Sequence, residues 1–105
     1  MINVFMDDLR PCPDGFTLAR TVEECLLLLR ECEVNVLSLD HDMGWGQPNG
    51  TDLAAAIVRE ALFPREVYLH SSSEIGRRRM FELLYSAKPA AMILHRHALW
   101  EEKRT

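Results

Sequence analysis

Four short apolar runs in this chain end in side chains that carry charge or can exchange a proton. The run 2–6 stops at Asp7 and Asp8, the run 34–39 at Asp40, His41 and Asp42, the run 66–70 at His70 with Ser71 and Ser72 following, and the run 90–94 at His95, Arg96 and His97. Carboxylates brought close together raise one another's pKa and cannot all stay ionised without a cation. Oxygen donors of this kind suit Mg²⁺ or Mn²⁺, and an added imidazole from His41 or His70 moves the preference toward Mn²⁺ or another transition metal. Aspartates at strand ends also cap turns, and Asp7, Asp8 and Asp42 could do no more than that.

His70 closes an apolar strand, where histidine has little structural purpose, and can act as general acid or base near neutral pH. Ser71 and Ser72 come just before a helix N-terminus, whose free N–H groups and dipole favour a phosphate, and Arg77 in the first turn adds positive charge. For Ser73, Arg78 and Arg79 a helix cap and a solvated face are sufficient roles. His41 lies between two aspartates, and strand alternation sends it away from both, so it is either a ligand from a bent loop or a surface residue. His95 and His97 share one side of the last strand. His95 is the candidate for a second acid–base group, with His97 as its alternative. Trp45, Met6 and Met43 read as packing or lid residues.

The elements that must position these groups follow from periodicity and punctuation. The run 2–6 reads as a central strand. The loop "LRPCPDG" has two prolines and a Pro-Asp-Gly turn signal and cannot hold a helix. Residues 16–20 alternate like a strand, and Thr21 with Glu24 predicts a capping box that opens a helix through Cys32, with Val22, Leu26 and Leu29 inward. After the strand 34–39 and the loop "MGWGQPNG", a helix is expected over 51–62, with Leu53, Ile57 and Ala61 inward and Pro64 beyond its end. The strand 66–70 leads into a helix capped within "SSSEIG" and running to about Ala87, with Met80, Phe81 and Leu84 inward. The run 90–94 is the last strand, and "LWEEKRT" adds at most a turn of helix. Strands alternating with helices predict an α/β sheet that is mostly parallel. Ligands bind such sheets beyond the carboxyl ends of the strands, so the four polar clusters should share one edge and face a crevice.

With 105 residues, the chain is expected to form a single domain, 1–105. A hydrophobic fraction of 48% with 27% charged residues is that of an ordinary folded protein. The formal charge of −4 offers no broad field for a polyanion, so duplex DNA is not an expected partner, although Arg77, Arg78 and Arg79 form a local basic cluster. No apolar run approaches the roughly 20 residues that span a bilayer, so no membrane is expected. The start "MINVFMDDLR" has no secretory pattern, and the three cysteines are odd in number without Cys-x-x-Cys spacing. The expectation is a cytoplasmic protein with buried thiols.

The segments "FMDD", "LSLDHDMG" and "YLHSSSEIGRRRM", in this order, resemble the receiver fold of response regulators. More narrowly, they resemble its offshoot, the cyclic-phosphate processing receiver domain, from Ile2 to about Ile93. The resemblance implies a flavodoxin-like five-stranded sheet in the order 2-1-3-4-5. By position it makes Asp7 and Asp8 the acidic pair that binds Mg²⁺ beside the acceptor aspartate, Asp40; Asp42 is a further candidate ligand on its own residue type and placement, outside the resemblance. Receivers end their fourth strand with Ser or Thr and their fifth with Lys. This chain has His70 before Ser71, and His95 or His97 where the lysine should be. Lys88 precedes Pro89 but lies before the last strand, at the wrong end.

About nine residues join the first two strands, too few for a helical crossover, so a loop must replace the receiver's first helix, and the last helix is short. Right-handed connections then put the three surviving helices on one face of the sheet. The other face is under-covered, to be sealed by the "LRPCPDG" loop and Trp100 or by a second copy of the chain, as a homodimer. The resemblance implies a metal-assisted phosphoesterase acting on a cyclic phosphate of a nucleotide or RNA end. Its rivals are a signalling receiver phosphorylated on Asp40 and a module that binds a nucleotide or phosphate without turnover.

Overall fold

The computed structural model describes residues 1–101, and in it the apolar runs pair into a five-stranded sheet. The strands are β1 (Ile2–Met6), β2 (Thr17–Ala19), β3 (Val34–Leu39), β4 (Glu66–Leu69) and β5 (Ile93–Leu94), ordered β2-β1-β3-β4-β5. Every pairing is parallel, so the sheet is wholly rather than mostly parallel. Its register sets Met6 beside Leu39 and Leu39 beside Leu69. The ladder runs one residue further, with Asp7 N donating to the Ala19 carbonyl, Asp40 N to Met6 and His70 N to Leu39. Asp7, Asp40 and His70 are therefore level along one edge.

Three helices, α1 (Val22–Glu31), α2 (Gly50–Glu60) and α3 (Glu74–Ala87), pack side by side. They cover the side chains of Val4, Met6, Leu37, Leu39, Val67 and Leu69, all fully buried. Each of these strand positions alternates with one facing the other way, as the pleat requires. No helix occupies residues 7–16 between β1 and β2, and among the described residues a 3₁₀ turn, Leu99–Glu101, follows β5. The rest of "LWEEKRT" lies outside the described residues.

Local signals explain most boundaries and correct several. Thr21 Oγ accepts the Glu24 N–H, but the Glu24 carboxylate accepts from Arg20 N at 2.6 Å, so the expected box closes one residue early. α2 starts at Gly50 instead of Thr51, because Asn49 and Asp52 form a complete capping box. Ala61 is not an inward residue: it ends α2 in the left-handed region with φ of 55°. A side chain there is strained, so Ala61→Gly is expected to raise stability by about 0.5–1 kcal/mol in urea unfolding, net of the entropy glycine adds to the unfolded chain. β5 is shorter than the expected 90–94, because Met92 N donates back to the Pro89 carbonyl and residues 89–92 form a turn, from which Met92 alone enters the core.

On the second face, Phe5 stacks on His70 with centroids 4.5 Å apart, and Phe16 and Trp100 each lie 6.4 Å from Phe5. Phe16, just beyond the "LRPCPDG" loop, and Trp100 thus pack over the middle of this face. Only Cys25 is a buried thiol. Burial pushes its pKa up to about 12, whereas Cys32 at the end of α1 is exposed and Cys12 half-buried, against the expectation for all three. Among the described residues, no helix is long and apolar enough to cross a membrane.

Candidate functional site

Asp7 organises the edge. Its carboxylate turns back on the chain that follows, as aspartate does in tight turns. Oδ1 accepts the N–H groups of Leu9 and Arg10, both at 2.9 Å, and Oδ2 accepts Arg10 Nη1 at 3.0 Å and His70 Nε2 at 2.9 Å. Burial alone would raise its pKa, but the two backbone N–H groups, the Arg10 guanidinium and His70 outweigh that and hold it at about 2. An ionised carboxylate only accepts, so His70 carries its proton on Nε2 and leaves Nδ1 bare for the Ser38 hydroxyl, 2.7 Å away. The His70 side chain is 0% exposed. Burial pulls its pKa down to about 4 against the pull of Asp7, so the ring is neutral at pH 7.

Asp40 is also buried. Its Oδ1 accepts the His41 N–H at 2.8 Å, and its Oδ2 lies 3.7 Å from Arg10 Nη1. Burial raises its pKa, the His41 N–H opposes that, and the negative charge of Asp7 adds to the rise. Asp7, Asp40 and His70 each offer a ligand atom within 4.8 Å of the others. Arg10 bridges the two carboxylates from the loop that replaces the helix. Its own carbonyl accepts from Arg20 Nη1 at 2.9 Å, and its guanidinium lies over the Trp100 ring at 5.8 Å. Above this cluster opens a cleft of about 480 Å³, lined by Asp7, Asp8, Arg10, Asp40, Asp42 and Ser72 among others.

The four candidate metal-binding aspartates and Ser72 therefore share one cleft, with His70 beneath it. The other candidates sit elsewhere. His41 points toward the helices, with Nε2 3.0 Å from Thr51 Oγ1 and Nδ1 3.3 Å from Asp42 Oδ1. Its ring fills the space that a Cβ on Gly76 would need. Gly76→Ala is thus expected to destabilise the protein by about 1–2 kcal/mol in urea unfolding, because the overpacking exceeds the helix propensity gained. Ser71 is buried, and its Oγ accepts the Ser73 N–H within the turn that opens α3. Arg77 donates to the Ser71 carbonyl and lines a separate cleft. His95 stacks on Tyr68 at 4.1 Å and pairs through Nε2 with Glu66 at 2.7 Å, toward the start of β4. Register is the reason: His95 N bonds Val67, whereas the His97 carbonyl bonds Leu69 N, so His97 and not His95 lies nearer the edge. Lys88 donates to the Met92 carbonyl at the opposite end of α3.

Sequence reasoning missed Arg10 and Ser38. Ser38 left a trace, as a hydroxyl inside an otherwise apolar strand needs a buried partner. Arg10 left a weaker one, its spacing of three from Asp7 across a turn.

A family model described as the Cyclic-phosphate processing Receiver domain matches residues 2–86. No curated protein matches the chain. The matched span holds the parallel sheet from β1 to β4, α1, α2, all but the last residue of α3, and every residue of the Asp7, Asp40 and His70 cluster. On that match and on this fold, the chain belongs to the cyclic-phosphate processing receiver domain family.

Proposed function

We propose that this domain opens a cyclic phosphate carried by a nucleotide or an RNA end, with Mg²⁺ or Mn²⁺ held by Asp7, Asp8 and Asp40. The observation that carries the reading is the pair of buried carboxylates, Asp7 and Asp40, meeting one guanidinium at the floor of an open cleft. Two such charges in a half-dry site call for a cation, and Arg10 now meets that demand. The donor set fits a divalent ion with one adjustment. All four lone-pair positions of Asp7 are taken, and the contact that can yield is that of Arg10, whose side chain is 38% exposed.

When bound, the cation supplies neutralisation of phosphoryl charge. Arg10, released from Asp7, then binds a non-bridging phosphate oxygen, and Ser72 with the first N–H groups of α3 steadies another. Water adds across the ring: its oxygen forms a bond to phosphorus, one ring P–O bond breaks, and the departing oxygen gains the proton that the water loses. Asp42, open to solvent on the same cleft and backed by His41, carries that proton. His70 is assigned a positioning role, because both its nitrogens are engaged below the cleft.

The test is incubation with 2′,3′-cyclic and 3′,5′-cyclic nucleotides and a cyclic-ended RNA oligomer, with Mg²⁺, Mn²⁺ or chelator. Metal-dependent ring opening of at least one is expected. No turnover of any sinks the enzyme reading, and binding without turnover replaces it with a sensor or sequestering module. Acid-labile phosphate on Asp40 after exposure to a small phosphodonor would instead favour a signalling receiver.

A further inference from the structure

We propose that a second cleft, lined by arginines, binds the strand of a single-stranded RNA whose end occupies the carboxylate cleft. Arg77, Arg78, Arg96, Phe81 and Glu74 line a cleft of about 210 Å³. Three guanidiniums face one carboxylate there, in a chain whose formal charge is −4. That concentration of positive charge is local and cannot be read from the net charge.

Planar groups lie in series along the same surface. The Arg96 guanidinium lies over the Phe81 ring at 3.7 Å, Phe81 stacks on Tyr85 at 5.4 Å and 14°, and Lys88 Nζ lies 5.9 Å from the Tyr85 centroid. Residues 78, 81, 85 and 88 recur at the three- and four-residue spacing of one helix face. Tyr85 is 62% exposed, so its ring adds little to the core. Flat guanidinium and aromatic faces beside free arginine charge are what unpaired bases and their phosphates need: bases stack, and phosphates pair. An acidic peptide would satisfy the charge and leave the planar faces unused.

The turn 71–73 links residues of the two clefts. Ser72 lines the carboxylate cleft, Arg77 lines the arginine cleft, and Arg77 Nη1 donates to the carbonyl of Ser71 between them. A terminal phosphate in the first would send the preceding nucleotides across the turn 71–73 onto α3. The inference rests on the reading that the carboxylate cleft takes a nucleotide phosphate, but its test is a binding measurement without turnover.

That test is fluorescence anisotropy with a labelled decauridylate ending in a 2′,3′-cyclic phosphate, in chelator, with uridine 2′,3′-cyclic monophosphate and decaglutamate as competitors. The oligomer is expected to bind at least about tenfold more tightly than the mononucleotide, since stacked bases add to each phosphate contact. The double variant Arg78→Glu, Arg96→Glu should weaken oligomer binding about tenfold or more and flatten the salt dependence of log affinity by about 1.4, at about 0.7 per lost phosphate contact. Tyr85→Ala should weaken it several-fold, and unfolding midpoints matching the parent show that each variant is folded. Equal affinity for mononucleotide and oligomer, unchanged binding in the double variant, or equal competition by decaglutamate would overturn the proposal. Oligomer binding without ring opening would support this surface and sink the catalytic reading. Mononucleotide turnover without oligomer binding would do the reverse.

Discussion

Replacing Asp40 by asparagine is expected to slow ring opening at least about 10³-fold, while leaving the fold equally stable or firmer by up to about 1 kcal/mol. The two effects separate because the carboxylate serves the ligand at a cost to the fold. Asp40 is buried beside Asp7 and Asp8, and folding raises its pKa, first through burial and also through those two charges. Its ionised form therefore opposes folding at neutral pH. Asparagine has the same shape and keeps an oxygen for the His41 N–H, now 2.8 Å from Oδ1. What it loses is a charge 3.7 Å from Arg10, a loose contact to a half-exposed partner. Turnover assays and urea unfolding in chelator measure the two effects. Added Mg²⁺ should then raise the unfolding midpoint of the parent and leave that of Asp40→Asn unmoved, because a ligand stabilises only the protein that binds it. A variant that keeps its activity, or one that loses activity only by unfolding, would refute this account of Asp40.

The second large effect is on pH dependence. In chelator, stability is expected to fall by about 3 kcal/mol as pH drops from 6.5 to about 4. His70 is the cause: burial brings its pKa from 6.5 down to about 4, against the opposing hydrogen bond and charge of Asp7. Between those values the unfolded chain takes up a proton that the folded chain refuses, so unfolding gains. The stability due to the neutral ring is fully present above pH 6.5 and is lost on the way to 4. Asp7 acts in a lower window, its pKa depressed from 3.8 to about 2, so its contribution is present above 3.8 and disappears as pH falls through 2. Urea unfolding at half-unit steps of pH resolves the two. His70→Gln, which can donate to Asp7 and accept from Ser38, should lose about 2 kcal/mol at pH 7 and no longer lose stability between 6.5 and 4, where the raised pKa of Asp40 leaves only a slope of opposite sign. A flat profile in the parent protein would show that the ring is not held neutral.

Patterning along the chain was enough to define the frame. Apolar runs that break at Asp7, Asp40 and His70, spaced by helix-length segments, leave a parallel sheet as the way to bury them, and a parallel sheet brings those residues to one edge. The missing first helix was legible because about nine residues cannot make a crossover. Strand ends and caps are short-range matters, set by the residues that form them.

Tertiary structure decided which side chains meet. The expected site included His41, His95, Ser71 and Arg77, yet His41 turns to fill the gap over Gly76, a space that exists only once α3 is packed. His95 falls short of the edge because the turn 89–92 sets the register of β5 against β4. Arg10 reaches Asp7 and Asp40 because a loop folds back over the sheet, a path that no periodicity encodes. Backbone elements follow from local pattern, whereas the direction of a long side chain follows from the space and charge that distant segments leave to it.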